Sequence, residues 1–341
     1  MDLQTRIEAF GALGDWIANL AGEERAYIHE RAKAHNGWFT PGNVDLALEG
    51  LTRYLHRDAL RRWLAPYNLP EYNERPAKVG VAMAGNIPLA GFHDFLSILV
   101  TGNTIIAKPS SQDPFLLKYI AEKLTAMEPR FKSMIEFSEQ LKGMDAIIAT
   151  GSDNTSRYFE YYFGKRPHII RKNRVSAAVL SGNETPGDYA LLGRDIFYYF
   201  GLGCRNVAKI FIPKGFDFQP FMEALREFDY VMDNHKYANN YQYNRSIYLL
   251  NKTPHLDAGF CLLHESEELV SPTSVIYYEY CDHPDEALNI LSQYSHKIQC
   301  VVGDESLPGV VPFGKAQNPE LWDYADNVDT IRFLVELNQR T

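Results

Sequence analysis

Gly201-Leu202-Gly203-Cys204 sets a thiol behind an apolar stretch at 196–200 and just ahead of a strand pattern at 207–212. A thiol at a glycine-flanked junction between helix and strand has backbone N–H groups beside it and room for a substrate carbonyl. Covalent attack on a carbonyl needs both. A lone cysteine is also at home as a small buried hydrophobe, so the choice for Cys204 rests on the rest of the chain. The other three cysteines, Cys261, Cys281 and Cys300, form no Cys-x-x-Cys pair, and no signal-peptide pattern opens the sequence. Structural disulfides and a zinc ribbon are therefore not expected, and a reducing, cytoplasmic setting is.

Three further loops carry side chains suited to ligand binding. An apolar run at 79–84 leads into Gly85-Asn86-Ile87-Pro88, where Asn86 would present an amide at the carboxyl end of a strand, the edge at which ligands sit in doubly wound sheets. That amide can stabilise an oxyanion or simply cap its own turn. Gly102-Asn103-Thr104 opens a second strand that ends in Lys108-Pro109-Ser110-Ser111, so Lys108 can reach a ribose or phosphate or remain a solvated cation. Gly151-Ser152 follows a third apolar run and precedes a helical pattern. A helix N-terminus of this kind suits a pyrophosphate and is also a common connection between strand and helix. None of these loops is a Gly-x-Gly-x-x-Gly, so the usual dinucleotide fingerprint is missing.

The elements that position these loops follow from periodicity. Leu3, Ile7, Phe10, Leu13, Ile17 and Leu20 recur at helical steps, as do Val44, Leu48, Leu51 and Leu55, with Asn43 placed as an N-cap. From Lys78 short apolar runs alternate with helical patterns at 79–84, 104–107, 145–149 and 177–180, the rhythm of an α/β protein with mostly parallel, buried sheets. Further strands are expected at 207–212, 246–250, 274–278 and 298–302. The apolar tail at 328–335 reads as a β segment that completes a sheet, across a homodimer if not within the chain.

The chain has 341 residues, 45% hydrophobic and 23% charged, enough to build two packed domains. Its net charge of −9 and scattered basic residues argue against nucleic acid as a partner, and no apolar run approaches the ~20 residues of a membrane span. The histidines show no paired ligand spacing, so no metal is expected, and His235 reads as a loop histidine.

Taken in order, these pieces resemble the aldehyde dehydrogenase superfamily from about Lys78 onward. The segment 79–89 is similar to its strand and oxyanion-asparagine loop, 102–110 to its adenosine-ribose lysine motif, Gly151-Ser152 to its phosphate turn, and Cys204 to its catalytic thiol. Glu268-Leu269-Val270-Ser271-Pro272 is similar to the Glu-x-Phe-Gly-Pro whose glutamate holds the nicotinamide ribose. The fold implied has a helical segment at 1–77, a dinucleotide-binding α/β domain at 78–183, a catalytic α/β domain at 184–325 and a β tail at 326–341.

Two departures refine the expected activity. Oxidising members of the superfamily carry a base in Glu-Leu-Gly-Gly, but here 168–174 contains no carboxylate, and Glu184 falls after the next strand as a surface turn residue. A thioester on Cys204 would then persist until reduced or exchanged. This resembles the acyl-CoA reductase branch, similar to the fatty acyl reductase component of bacterial luciferase systems. Ser111 stands where an acidic residue would grip the ribose hydroxyls; without that charge, and with Lys108 nearby, the resemblance implies NADP(H) over NAD(H). The implied function is reduction of an acyl-CoA or acyl-carrier thioester to the aldehyde, with Cys204 as nucleophile and Asn86 in the oxyanion site. Lys108, Ser110, Ser111, Gly151, Ser152 and Glu268 would hold the cofactor. An acyl phosphate reductase, a non-redox acyl transferase and a silent binding module share the same motifs in part.

Overall fold

The computed structural model describes residues 1–151 and 153–340. The chain forms two compact units, one of Met1–Asn173 with Glu320–Thr341 and the other of Arg174–Pro319.

The first unit opens with α1 (Leu3–Ala18), α2 (Gly22–His35), α3 (Pro41–Tyr54) and α4 (Arg57–Leu64). Asp2 caps α1 by accepting the Thr5 N–H at 2.7 Å. The cap of α3 is Thr40, with Pro41 in the first helical turn. Asn43, expected as that cap, lies inside the helix, where it is buried and donates to the Trp38 carbonyl. The sheet follows: β1 (Lys78–Ala82), α5 (Phe92–Val100), β2 (Thr104–Lys108), α6 (Leu116–Met127), β3 (Ile135–Phe137), β4 (Ala146–Thr150), α7 (Asp153–Phe163) and β5 (His168–Arg171). Among the described residues five strands pair in the order β3-β2-β1-β4-β5, all parallel. Their interiors are continuous apolar runs because both faces are covered: Val79, Val81, Ile105, Ile106, Ile147 and Ile148 are all buried.

The second unit contains β6 (Val175–Val179), α8 (Pro186–Phe197), β7 (Val207–Pro213), α9 (Phe218–Leu225), α10 (His235–Leu250), β8 (Leu256–Asp257), β9 (Leu262–Glu265), β10 (Val275–Cys281), α11 (Pro284–Gln293), β11 (Ile298–Gly303) and β12 (Val311–Pro312). Its described strands run β12-β11-β6-β7-β10-β9-β8, parallel except for the β8–β9 pair. The chain then returns to the first unit with α12 (Thr330–Arg340).

The fold is the expected mixed α/β arrangement with mostly parallel sheets, and three further details correct the sequence reading. The strand expected at 246–250 is the last turn of α10. Tyr237, Tyr241 and Asn244 form that helix's buried side, while Leu249 and Leu250 face solvent. The β tail is α12: Asp329 accepts the Arg332 N–H as a cap, and Ile331, Leu334 and Leu337 recur at helical steps into the core of their own unit. A homodimer strand is therefore not available there. Finally, β6, expected to close the first α/β domain before residue 183, is hydrogen-bonded between β7 and β11 in the second sheet.

Candidate active site

The first unit gathers the expected binding loops on the carboxyl edge of one sheet. β1 connects through α5 to β2 on one side, while its other neighbour β4 connects through α7 to β5 on the opposite side. The strand order thus reverses between β1 and β4, and a crevice opens at such a switch point. The loops after β1, β2 and β4 hold Asn86, Lys108 with Ser110 and Ser111, and Gly151. Asn86, Lys108 and Ser111 are exposed there, while Ser110 is half-buried. Gly151 donates to the Arg171 carbonyl at 3.2 Å, and a Cβ on it would come within 3.0 Å of Thr155. Ser152, expected beside it in the phosphate turn, lies outside the described residues.

The loops after β1 and β2 interlock. Met83 donates to the Lys108 carbonyl at 3.1 Å, and a Cβ at Gly85 would fall 2.5 Å from the Ser110 Cβ. Leu89, at φ +59°, donates its N–H to Asp113 Oδ2 at 3.0 Å, and Asp113 Oδ1 accepts the Leu116 N–H at 3.1 Å. With both oxygens engaged in main-chain bonds, the Asp113 carboxylate is turned inward. Burial pushes its pKa up, against the pull of those two N–H groups.

In the second unit Cys204 occupies a turn between α8 and β7, as the glycine pattern implied. It is the exposed cysteine of the four: Cys261 and Cys281 are buried and Cys300 is intermediate. Burial also pushes the Cys261 thiol far up and the Cys281 thiol to about 11, which leaves both protonated and inert. The approach to Cys204 is a backbone elbow. Tyr199, Phe200 and Gly201 all take left-handed conformations, with φ of +54°, +58° and +74°. For two bulky aromatics this is strained, of order 1–3 kcal/mol each. Their side chains are buried, and Phe200 packs on Tyr237 with ring centroids 6.0 Å apart.

Asn206 holds the elbow in place. Its Nδ2 donates to the carbonyls of Asp195 at 2.9 Å, Ile196 at 3.2 Å and Tyr198 at 2.8 Å, while its Oδ1 accepts the Gly203 N–H at 2.8 Å. One buried side chain thereby satisfies carbonyls freed at the end of α8 and fixes the residue before Cys204. From the other side the Ser176 hydroxyl donates to the Cys204 carbonyl at 3.1 Å and touches the Cys300 sulfur at 3.1 Å. Beneath the elbow the buried Asp195 carboxylate accepts the N–H groups of Gly314 at 2.6 Å and Ala316 at 2.9 Å. Sequence reasoning missed Asn206, Ser176, Asp195 and Asp113, whose partners are main-chain groups apart from the Cys300 sulfur at Ser176. The one signal was an asparagine two residues past the thiol.

Glu268 is exposed in the connection that follows β9, with its N–H donated to Ser266 Oγ at 3.1 Å, whereas Cys204 precedes β7. β7 and β9 both run parallel to β10, so the thiol stands at the entry to its strand and the glutamate follows the exit of its own. Glu184 accepts the N–H groups of Ser181 and Gly182 at 2.6 and 2.9 Å and so caps its own turn. In 168–174 Arg171 forms a buried ion pair with Asp94, and Lys172 pairs with Glu160 at 3.2 Å. His235 is the first residue of α10 rather than part of a loop. Among the described residues no cluster of His, Cys, Asp or Glu is placed to hold a metal ion, and no helix is long and apolar enough to cross a membrane.

A family model described as acyl-CoA reductase (LuxC) matches residues 19–225, which take in Asn86, Lys108, Gly151 and Cys204 and end before Glu268. A long-chain acyl-protein thioester reductase of Photorhabdus laumondii is 25% identical over 161 residues, 42% of this chain and 33% of that protein. The chain thus spans about a third of that relative's length. Among solved structures, aldehyde dehydrogenase C of Pseudomonas syringae, a mutant complexed with NAD+ and octanal, has a TM-score of 0.64 at 12% identity over 89% of this chain and 73% of that one. An NADP-dependent glyceraldehyde-3-phosphate dehydrogenase of Bacillus halodurans, complexed with NADP, scores 0.62 at 15% identity over 89% and 74%. At these identities the likeness is one of fold, which is that of the aldehyde dehydrogenases.

Proposed function

This chain belongs to the acyl-CoA reductase (LuxC) family, and from that premise we propose that it reduces a long-chain acyl thioester to the aldehyde through a covalent thioester on Cys204. The observation that carries the reading is that Cys204 alone of the four cysteines is exposed, on an elbow pinned by Asn206 and Ser176. Strain and redundant anchoring of this kind concentrate where a reacting group must be held ready. The Cys204 thiolate attacks the thioester carbonyl, the carbon–sulfur bond to CoA breaks, and CoA leaves as the thiol after taking up a proton. The Asn86 amide donates to the oxyanion, a contact worth about 3 kcal/mol in the transition state. Since 168–174 holds no carboxylate and Glu184 is spent on its own turn, the acyl-enzyme has no base there to activate water.

The carboxyl edge of the first sheet fits a nicotinamide dinucleotide. It has a topological switch point, an exposed Lys108, and Gly85 and Gly151 at positions a Cβ would crowd. Lys108, Ser110, Ser111, Gly151, Ser152 and Glu268 are the residues proposed to hold it. When bound, it supplies hydride to the acyl carbon. The carboxylate nearest Lys108 in sequence, Asp113, is committed to Leu89 and Leu116, which leaves no anion at 108–111 to repel a 2′-phosphate and favours NADPH. Cys204 leaves as thiol when the resulting thiohemiacetal collapses to the aldehyde.

The test follows NADPH loss and free CoA together across acyl-CoAs from acetyl to palmitoyl. Matched loss and release supports the reductase and gives its chain length. CoA release without NADPH oxidation indicates acyl transfer, and activity on acyl phosphates alone indicates the phosphate reductase. Cys204→Ala is expected to abolish aldehyde formation, at least 1000-fold, with NADPH binding unchanged by fluorescence titration. Retained turnover in that variant overturns the mechanism.

A further inference from the structure

The segment that carries Asn86 is tied at both ends to one turn of the next loop. Gly85, buried, lies against Ser110 so closely that a Cβ there would stand 2.5 Å from the serine Cβ and 3.2 Å from the Asp113 nitrogen. Leu89 at the other end is fixed by Asp113 Oδ2 at 3.0 Å. The turn itself is closed by the Asp113 N–H on the Ser110 carbonyl at 3.1 Å and by the Gln112 N–H on Ser110 Oγ at 3.2 Å. It is thus a stiff body, with Lys108 and Ser111 exposed on it and Asp113 buried behind. Leu89 occupies a left-handed conformation at φ +59°, which a branched side chain keeps only where its surroundings over-determine it.

We infer that Asp113 is a positioning residue that couples occupancy of the loop at 108–111 by the dinucleotide to the setting of Asn86. This rests on the functional reading above. A ligand gripping Lys108 and Ser111 shifts the turn as one body. Asp113, which joins that turn to Leu89 and to the first turn of α6 through Leu116, passes the change to the segment 85–89. The coupling runs both ways, so a substrate carbonyl seated against Asn86 tightens the cofactor loop by the same factor.

The test uses the full chain and NADP+, which occupies the loop without reducing the acyl-enzyme. Hydrogen exchange is followed in peptides covering 86–92, with and without saturating NADP+, in the wild type and in Asp113→Ala. Expected is protection of 86–92 that rises about 5-fold or more in the wild type and does not change in the variant, with NADP+ still bound. The burst of CoA release should likewise be accelerated by NADP+ in the wild type alone. A role confined to stability would lower melting and leave the response intact. Should Asp113→Ala fail to fold, Asp113→Asn keeps one acceptor oxygen and is expected to show a reduced response. A wild type whose 86–92 segment ignores bound NADP+, or variants that respond as it does, overturns the inference. Binding of NADP+ without CoA release sinks the acyl-CoA reading while the exchange data still judge the coupling. Absence of any NADP+ binding sinks both.

Discussion

At the scale of single residues, the chain commits side chains to the main chain around its thiol. Asn206 bonds four backbone groups, so Asn206→Ala leaves three carbonyls and the Gly203 N–H to find other partners. Unmet buried groups cost ~1–3 kcal/mol each. A loss of about 3 kcal/mol in urea unfolding of the second unit, with CoA release slowed at least 10-fold, is expected. A loss of stability with an unchanged rate would mean that the elbow is not what aims the thiol. Asp195 makes the site sensitive to pH. Burial raises its pKa from 3.8 to about 7, with the N–H groups of Gly314 and Ala316 and the Arg194 charge pulling the other way. The folded chain therefore binds this proton more tightly than the unfolded chain does. The stability this contributes is complete below the unfolded value and is lost as pH rises through about 7. Melting of the wild type should fall between about pH 4 and pH 7 relative to Asp195→Asn, which lacks the titration, and level off above. Parallel profiles would refute the assignment.

At the scale of elements, a buried ion pair joins β5, α5 and α12. Arg171 donates to the Asp94 carboxylate at 2.6 and 2.9 Å and to Thr330 Oγ1 at 3.0 Å, with both charged side chains less than a tenth exposed. Removing one partner strands a charge, so Asp94→Ala should lower unfolding free energy by about 4 kcal/mol. Asp94→Leu with Arg171→Met should recover most of that, as measured by urea midpoints at constant slope. What was readable in the sequence divides along similar lines. β1, β2 and β4 were plain because a parallel strand covered on both faces is one apolar run, and their loops followed from them. α12 and the end of α10 read as strands because Val328, Val335 and Leu249 give short apolar runs in which strand and helix look alike. The Asp329 cap and the spacing of Ile331, Leu334 and Leu337 were the better guides. The sheet that β6 joins could not be read locally, since β5 and β7 are both near it in sequence and its other partner, β11, lies far along the chain. Asp113 and Asn206 escaped notice because they act on backbone in unusual conformations, which side-chain patterns do not record.

At the scale of the whole molecule, two units with separate sheets predict two separable unfolding transitions. NADPH at 100 times its dissociation constant should raise the transition of the first unit by about 2.7 kcal/mol. Cys204→Ala should leave that increment unchanged, and a shift confined to the second unit's transition would contradict the placement of Lys108 and Gly151 in the cofactor site. The return of the chain to the first unit after residue 319 bears on how the protein is made. Trp63 donates to the Tyr324 hydroxyl at 2.8 Å, Tyr67 to Asp329 at 2.9 Å, and the ring of His93 bonds the Leu321 carbonyl at 2.9 Å. A ribosome releases Trp63 and His93 long before these partners, with all of the second unit synthesised in between. The nascent first unit therefore waits without these partners, its Trp63, Tyr67 and His93 contacts unmade, until the segment after residue 319 has emerged.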